Sequence, residues 1–431
     1  MQSEWRETTL GEVLELKRGY DLPQKNRIKG DVPLISSAGV SDFHNEAKVK
    51  APGVVTGRYG TIGEVFYSDK DFWPLNTTLY VRDFKGNDVK FIYYFLKTID
   101  YLQYSDKAAV PGVNRNHLHL AKVSIPEDIE EQKAIAHILG SLDDKIELNR
   151  QMNATLEAMA QALFKSWFVD FDPVLDNALA AGNPIPDELQ DKAAAREALG
   201  DARNPLPEDI AALFPAAFVW TEEMGWIPEG WEVSQLGKFV DVKRGGSPRP
   251  IHDYLVPDGL PWVKISDATA SEFRFLGGTK EFIKPEGLKK TVLLKSGSLI
   301  LSNSATPGLP LFLDLDACIH DGWLYFPKKE KFSDLYLYQL FLVIRQELIQ
   351  QGNGSVFTNL KTDILKSHSL IVPNQNLLDK FDVELSAISQ RIHSLHIENK
   401  ALTQLRDTLL PKLLSGELRI PDAEKLVEEI L

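Results

Sequence analysis

The chain has 431 residues, of which 43% are hydrophobic and 25% are charged, and its formal net charge is −13. This composition predicts a globular protein of roughly two to four domains. The single cysteine, Cys318, excludes an intramolecular disulfide and a cysteine-based zinc site, and it fits a reducing compartment. No apolar run reaches the roughly 18 residues of a membrane span, and the N-terminal residues lack signal-peptide character. We therefore expect a cytoplasmic protein.

The charge is distributed unevenly along the chain. Residues 126–230 carry 7 basic and 21 acidic side chains, whereas residues 1–125 and 231–373 each carry 17 basic and 15 acidic ones. Two nearly neutral regions therefore flank an acidic one, and each of them can still present a basic face. The negative total does not exclude a nucleic-acid partner.

Residues 1–127 are predicted to form a compact α+β unit. The runs Val54–Thr56, Glu64–Tyr67 and Thr78–Val81 have the length and composition of short strands. The apolar and aromatic run Phe91–Leu96 favours a buried helix over a base-stacking surface.

Residues 128–171 are predicted to form a long helix. Between Glu131 and Trp167 one set of side chains recurs in steps of mostly three and four residues, which is the pattern of a coiled-coil seam. The seam comprises Leu139, Leu142, Ile146, Asn149, Asn153, Leu156, Met159, Leu163 and Trp167. A helix of this length needs a partner helix.

Residues 172–230 form an acidic stretch rich in proline and alanine. We expect a mostly solvated connector with a short helix around Pro186–Leu199.

Residues 231–374 repeat the first unit. Lys17-Arg18-Gly19 recurs 226 residues later as Lys243-Arg244-Gly245, and beyond Lys50 the offset becomes 245. The second unit is therefore predicted to have the same fold with about 19 additional residues.

Residues 375–431 are predicted to form a second long helix and a tail with a final small helix. Adding 246 to each seam position gives apolar residues except at Asn399, which aligns with Asn153. Pro411 is expected to end or kink the helix near Leu410. We predict that the helices pair antiparallel about a pseudo-twofold axis, so that Asn153 and Asn399 approach each other and determine the register.

The predicted fold class is therefore α+β: two globular units of mixed α/β structure, separated by an antiparallel pair of long helices, in a pseudo-twofold repeat. This order resembles the specificity subunits of type I restriction-modification systems. Local stretches carry the same resemblance: Glu131–Ala136, Leu163–Phe168 and Leu409–Gly416 in the helices, Gly57–Gly63 in the first unit and Gly225–Trp231 before the second.

The resemblance implies that each globular unit is a target recognition domain that reads one half of a bipartite site in double-stranded DNA. It implies that the helix pair sets the spacer between the halves. The subunit itself is expected to be non-catalytic and to hold no cofactor or metal. Its expected partners are two modification subunits, which carry S-adenosylmethionine, and restriction subunits, which carry ATP and magnesium.

Base readout needs side chains whose donors and acceptors match base edges. The candidates for base contacts are Arg58, Tyr59, Asn76, Thr77, Asn114 and Arg115 in the first unit and Ser302, Asn303, Ser304, Asn359 and Lys361 in the second. The candidates for phosphate contacts are Lys17, Arg18, Lys243, Arg244 and Arg249. For each of them an ordinary exposed polar side chain is the alternative. Because Ser302–Ala305 replaces Gly57–Gly60, we expect the two units to read different sequences.

The sequence contains neither a phosphate-binding loop nor a dinucleotide fingerprint. Asp143-Asp144-Lys145 resembles half of a nuclease site, but its place on the predicted helix favours a solvated flank. His117 and His119 lack a nearby third metal ligand. The rival functions are a pseudo-symmetric adaptor that binds proteins through both units and a single-chain nuclease.

Overall fold

A computed structural model describes residues 4–105, 112–203, 205–268, 273–351 and 359–428. The chain divides into two compact units, one made of Met1–Met152 with Ser394–Leu431 and the other of Asn153–His393. Among the described residues the helices are α1 Leu10–Val13, α2 Val89–Lys97, α3 Arg115–His119, α4 Ile129–Phe168, α5 Asp172–Ala181, α6 Gln190–Ala198, α7 Glu208–Ala211, α8 Ile265–Ala268, α9 Asp334–Gln351, α10 Thr362–Ser367, α11 Gln375–Leu414 and α12 Ile420–Glu428. Each long helix, α4 and α11, has one part in each unit.

The first unit is built on two sheets, one of four strands in the order β2-β8-β5-β6 and one of three in the order β4-β3-β7. A separate antiparallel pair, β1 and β9, places Trp5 opposite Pro126, just before α4. The strands are β1 Trp5–Thr9, β2 Glu15–Arg18, β3 Val32–Ser36, β4 Gly39–His44, β5 Gly53–Gly57, β6 Val65–Ser68, β7 Trp73–Pro74, β8 Thr78–Asp83 and β9 Lys122–Pro126. The three predicted strands are confirmed as β5, β6 and β8, and Phe91–Leu96 is confirmed as helix, in α2.

One core joins the four-stranded sheet of this unit to helices. Val54 and Leu79 from the sheet, Phe91 from α2 and Leu142 from α4 are at most 1% exposed and belong to the same apolar cluster. Successive residues of a strand face opposite sides of the sheet, so Val54 and Leu79 enter this core while Val55 and Tyr80 enter a second apolar cluster.

The second unit repeats this plan with larger sheets. Its five-stranded sheets have the orders β13-β22-β19-β20-β16 and β14-β17-β15-β21-β18. Two antiparallel pairs, β10 with β11 and β12 with β23, complete it. The strands are β10 Phe218–Thr221, β11 Gly225–Pro228, β12 Glu232–Gln235, β13 Lys243–Arg244, β14 Leu255–Val256, β15 Leu260–Val263, β16 Phe275–Leu276, β17 Phe282–Ile283, β18 Leu293–Leu294, β19 Leu299–Ser302, β20 Pro310–Leu313, β21 Ala317–Ile319, β22 Trp323–Tyr325 and β23 Ser369–Val372. The sequence places the additional residues between Gly245 and Lys295, and this stretch carries β14 to β18 and α8.

The connector is more ordered than predicted. Val174, Leu175 and Ala178 of α5 are fully buried, and Val174 belongs to the second unit's main core together with Phe214. Arg196 of α6 binds two carboxylates of α5, which ties these helices together. The first helix of the connector is therefore docked, because the apolar side chains of α5 have a core to enter. Most of the described residues between 179 and 230 are exposed or half-buried, as expected of a solvated connector.

Within the first unit, α4 and α11 pair antiparallel, as predicted. Asp143 lies 2.7 Å from Arg406, and Asn149 Nδ2 donates to Asn399 Oδ1 at 3.0 Å, so residue numbers rise along one helix as they fall along the other. Asn399 is therefore paired with Asn149, one turn before the predicted partner Asn153. The repeat identifies equivalent positions, whereas core packing determines which side chains face each other.

Two further details of the helices differ from the prediction. Helix α11 continues through Pro411 to Leu414, so Pro411 does not end it. Leu413 and Leu414 are buried, and their burial offsets the hydrogen bond that the proline lacks. In α4 the seam position Met159 is 54% exposed, so the seam is interrupted there.

Candidate nucleic-acid interface

Three distant segments of the first unit meet at the end of β5. The amides of Arg58 and Tyr59 donate to the Thr77 carbonyl at 2.9 and 3.2 Å, and the Val113 amide donates to the Arg58 carbonyl at 3.0 Å. The Gly19 amide, after β2, donates to the carbonyl of Thr78 at 3.1 Å. We call this assembly of residues 17–21, 57–63, 74–78 and 112–115 the first cradle. It brings all the candidate residues of the first unit to one region.

Two glycines permit this close approach. A Cβ atom on Gly57 would lie 1.9 Å from the carbonyl oxygen of Thr61, and one on Gly112 would lie 2.1 Å from the ring of Tyr59. Neither contact leaves room for a side chain, so the glycine-containing turn serves backbone packing.

The base-contact candidates of the first cradle are held by local contacts. The guanidinium of Arg58 lies 4.5 Å from the centre of the Tyr59 ring, and its Nε donates to the carbonyl of Val113. Asn114 caps α3 by accepting from the Asn116 amide. Thr77 Oγ1 accepts from the amide of Ser37 at 3.4 Å, and Arg115 is exposed.

The phosphate candidates of the first cradle lie on β2. Lys17 Nζ is 5.5 Å from the centre of the Tyr20 ring. Arg18 is about half exposed and lies 3.7 Å from Asp21, whose carboxylate also accepts a hydrogen bond from the side-chain amide of Asn76. Asn76 is thus tied to an acidic partner that the sequence analysis did not identify.

The second unit builds the same backbone arrangement with other side chains. The Asn303 amide donates to the carbonyl of Gly322 at 2.8 Å, that of Leu360 to Asn303 at 2.8 Å and that of Gly245 to Trp323 at 2.8 Å. These bonds correspond to those of the first cradle at offsets of 226, 245 and 247 residues. We call residues 243–249, 302–308, 319–323 and 359–361 the second cradle. The second cradle therefore keeps the backbone scaffold of the first, although Ser302–Ala305 replaces Gly57–Gly60 and changes the side chains.

Two candidates of the second cradle are buried, which contradicts their predicted display to a ligand. Ser302 is 0% exposed, and its Oγ donates to the Thr306 carbonyl and accepts from the Leu309 amide. Asn303 is 3% exposed, and its Nδ2 donates to the carbonyl of Asp321. Both side chains replace glycine or arginine of the first unit and stabilise the loop from within. Ser304 remains half-buried, whereas Asn359 and Lys361 are exposed on either side of Leu360.

Asp321 organises the basic residues of the second cradle. Its carboxylate lies 3.5 Å from Arg249 and 4.0 Å from Arg244, and it accepts from Ser247 Oγ at 2.9 Å. Burial favours a higher pKa for Asp321, but the hydrogen bond from Ser247, the His320 ring and the two arginines outweigh it and lower the pKa. Asp321 therefore stays ionised near neutral pH. Lys243 is exposed on the same strand as Arg244.

A cavity of about 650 Å³ opens beside this network. Ser247, Arg249 and His320 belong both to the network and to the cavity wall, and Trp262 lines the wall with an edge-on contact to His320. The second cradle is therefore concave and carries donors and acceptors at its rim.

The residues that resembled a nuclease site have structural partners. Asp143 accepts from Tyr94 Oη and from Arg406, both at 2.7 Å, Lys145 lies 3.2 Å from Glu398, and Asp144 is an exposed partner of Lys90. Nor does the described part of the chain contain a group of three or more His, Cys, Asp or Glu side chains able to hold a metal ion. Similarly, no helix in the described ranges is long and apolar enough to cross a membrane.

Asp21, Ser247, His320 and Asp321 were missed by the sequence analysis. The repeat contains a signal for three of them: Asp21 aligns with Ser247, and Asn76 with Asp321, beside the matching stretches around Arg18 and Leu79. Each aligned pair contains one carboxylate and one neutral side chain.

Comparison with known proteins agrees with this doubled architecture. The family model described as "Type I restriction modification DNA specificity domain" matches residues 2–158 and 228–402, together more than half of the chain. The two matches contain the first and second cradles respectively.

Two proteins of similar sequence are named as specificity subunits of type I restriction enzymes. The chain is 27% identical over 477 aligned positions to the type I restriction enzyme HindI specificity subunit of Haemophilus influenzae, covering 96% of this chain and 100% of that protein. It is 25% identical to the MjaIX specificity subunit of Methanocaldococcus jannaschii, covering 81% of this chain and 74% of that protein.

A solved structure shares the fold. The crystal structure of a type I restriction-modification system S subunit from M. genitalium aligns with a TM-score of 0.56 at 15% identity, covering 95% of this chain and 96% of that one.

Proposed function

We propose that this chain, which belongs to the type I restriction-modification DNA specificity family, reads a bipartite DNA sequence, one half with each cradle. The observation that carries the proposal is the repetition of one backbone scaffold with different side chains. Matching amide–carbonyl bonds hold Arg58 in the first unit and Asn303 in the second. A scaffold kept in place while its polar side chains vary is what sequence-specific readout requires.

The proposed contacts follow from exposure and hydrogen-bonding capacity. Base edges are read in the first unit by Tyr59, Asn76, Thr77, Asn114 and Arg115, with Arg58, and in the second unit by Ser304, Asn359 and Lys361. Ser302 and Asn303 support the second loop from inside. The DNA backbone is bound by Lys17, Arg18, Lys243, Arg244 and Arg249, whose charges neutralise phosphates and release counterions.

The chain works as the non-catalytic member of a larger complex in the cytoplasm. Two modification subunits bind it and supply S-adenosylmethionine for methyl transfer. Restriction subunits supply the ATP- and magnesium-dependent steps. Helices α4 and α11 set the spacer between the two halves of the site. Their regular pairing in the first unit, through Asn149 with Asn399 and Asp143 with Arg406, supports this role.

A unit exchange tests the proposal. The chain is coexpressed with its modification subunit in a host that lacks other DNA methyltransferases, and the methylated sites are mapped. We expect a bipartite site. Replacing residues 1–127 with the equivalent unit of a relative should change one half of this site and leave the other half and the spacer intact. Methylation that ignores the exchange, or a change in both halves at once, would contradict independent reading.

A further inference from the structure

The two cradles contain the same three kinds of group, but the carboxylate has changed sides. In the first cradle Asp21 carries the charge, accepts from Asn76 and lies 3.7 Å from Arg18. In the second cradle the position of Asp21 holds Ser247, and the position of Asn76 holds Asp321. Ser247 now donates and Asp321 accepts, again beside the equivalent arginine, Arg244.

A second ion pair occurs at equivalent positions of both units and shows how a pair with a structural role is conserved within the repeat. Lys50 lies 2.6 Å from Asp71, and the equivalent Lys295 lies 2.6 Å from Asp316. In both units the acid also accepts from the backbone amide that follows the lysine, at 3.0 and 2.9 Å. This pair has kept every group in place. The cradle pair has kept one carboxylate that accepts from a neutral side chain, but the carboxylate lies on the other wall, so its position is not needed for the fold.

A carboxylate beside arginines that bind phosphate has an electrostatic cost. It repels the phosphates and reduces the charge that the arginines offer to DNA. The cost is offset where the carboxylate itself receives a hydrogen bond from the DNA. In the major groove the donors are the exocyclic amino groups of cytosine and adenine. Both carboxylates are accessible to such a donor, since the side chains of Asp21 and Asp321 are 69% and 25% exposed.

We propose that Asp21 and Asp321 are specificity-determining residues, each of which accepts a hydrogen bond from the exocyclic amino group of a cytosine or an adenine in its half of the site. Arg18 and Arg244 hold the carboxylates beside the duplex. The acceptor lies on opposite walls of the two cradles, so the two units select their bases from different sides. This inference rests on the proposed function and assigns residues to it.

The surroundings of Asp321 keep it a pure acceptor. The amide of Gly322 donates to Nδ1 of His320 at 2.8 Å, which places the ring proton on Nε2, 2.9 Å from Asp321. Burial and the neighbouring cations lower the pKa of His320, and Asp321 only partly opposes them, so the ring is neutral near pH 7. A neutral ring orients the carboxylate of Asp321 and carries no charge that would compete with the arginines for it.

The test substitutes each carboxylate by its amide in the complex with the modification subunit and maps methylated sites. Asparagine both donates and accepts, so the requirement for an amino group is relaxed. Asp321→Asn should lower the preference at one base pair of one half-site by about tenfold or more. Asp21→Asn should do so in the other half. The matched controls, Asp71→Asn and Asp316→Asn, remove an equally paired carboxylate elsewhere in each unit and should leave both half-sites unchanged.

Several results would overturn the inference. A variant that assembles and methylates the unchanged site with unchanged preference excludes base contact by that carboxylate. A uniform gain across all sequences, with a steeper salt dependence, would show that the carboxylates only weaken phosphate binding. If Asp321→Asn fails to assemble, the double variant Ser247→Asp/Asp321→Asn rebuilds the arrangement of the first cradle and should shift the preference at the same base pair. An unchanged preference in the double variant contradicts the inference too. Sequence-independent methylation by the unsubstituted complex would instead refute the proposed function.

Discussion

Two buried asparagines on neighbouring turns of α4, Asn149 and Asn153, differ in their hydrogen bonding. Asn149 is 1% exposed and bonds to Asn399, whereas Asn153 is 0% exposed and neither atom of its amide has a hydrogen-bond partner among the described residues. An unsatisfied buried amide costs about 1–3 kcal/mol, because water no longer solvates it. The repeat shows that the seam accepts an apolar residue at an asparagine position, since Asn149 aligns with Leu395.

We therefore expect Asn153→Leu to raise the free energy of unfolding by about 1–2 kcal/mol. The matched control Asn149→Leu should lower it by a similar amount, because Asn399 then loses its buried partner. Urea unfolding of the three proteins measures both effects. Destabilisation by Asn153→Leu equal to that by Asn149→Leu would show that Asn153 has a partner in solution.

Stability should also depend on pH through His119. Its Nε2 accepts from the amide of Leu16 at 3.0 Å, and burial, followed by the charge of Arg115, lowers its pKa below the ordinary 6.5. The unfolded chain then binds more protons than the folded chain just below pH 6.5, so the free energy of unfolding falls as the pH drops through this range. In His119→Gln, which keeps an acceptor and cannot titrate, the fall between about pH 7 and about pH 5.5 should be smaller. Identical pH profiles would rule out His119 as a source of the dependence.

Among the elements, α2, α4 and α11 are joined by one polar network. Asp143 of α4 accepts from Tyr94 of α2 and from Arg406 of α11. Burial raises the pKa of Tyr94, and the charge of Asp143 raises it further, so the phenol remains a donor. The acidic doublet that resembled a nuclease fragment thus connects three helices through one of its members.

Asp143→Ala should lower the free energy of unfolding by about 2–3 kcal/mol, because a buried phenol and a partly buried guanidinium lose their acceptor. Its neighbour Asp144 supplies the control. Its carboxylate is 76% exposed and lies 3.6 Å from Lys90, so Asp144→Ala should cost less than about 0.5 kcal/mol. Thermal and urea unfolding distinguish the two variants. Equal effects would mean that the network contributes no more than a surface ion pair.

At the scale of the whole molecule, sequence-distant segments complete each unit. Residues 394–431 belong to the same unit as the N-terminal residues. Helices α4 and α11 each have one part in the first unit and one part in the second. If the helix pair sets the spacing of the half-sites, its length determines the spacer.

Lengthening both helices tests this role. Four residues inserted after Asn153, with a matching insertion in α11, add about 6 Å to the pair and shift the heptad by only a fraction of a residue. Since the rise of B-DNA is about 3.4 Å per base pair, the spacer should grow by one to two base pairs while both half-sites persist. Mapping of methylated sites measures the change. An active variant with the original spacer would show that the helix pair does not set the spacing.

The sequence by itself determined the repeat, the order of the globular units and long helices, and three strands of the first unit, β5, β6 and β8. These features depend on periodicity and internal similarity, which are visible in the sequence alone. The seam of α4 and the recurrence of Lys17–Gly19 as Lys243–Gly245 are examples. The sequence also placed Arg18, Arg58 and Asn76 among the functional candidates from their chemistry.

Only the tertiary structure decided which side chains meet. The register that pairs Asn399 with Asn149 depends on packing across two helices 250 residues apart in the chain. Burial of Ser302 and Asn303 depends on a loop closed by segments more than fifty residues away, at Leu360. Asp21 joins Asn76, and Ser247 joins Asp321, only because β2 and β13 pair with distant strands. Such contacts arise from long-range packing, which local sequence patterns do not encode.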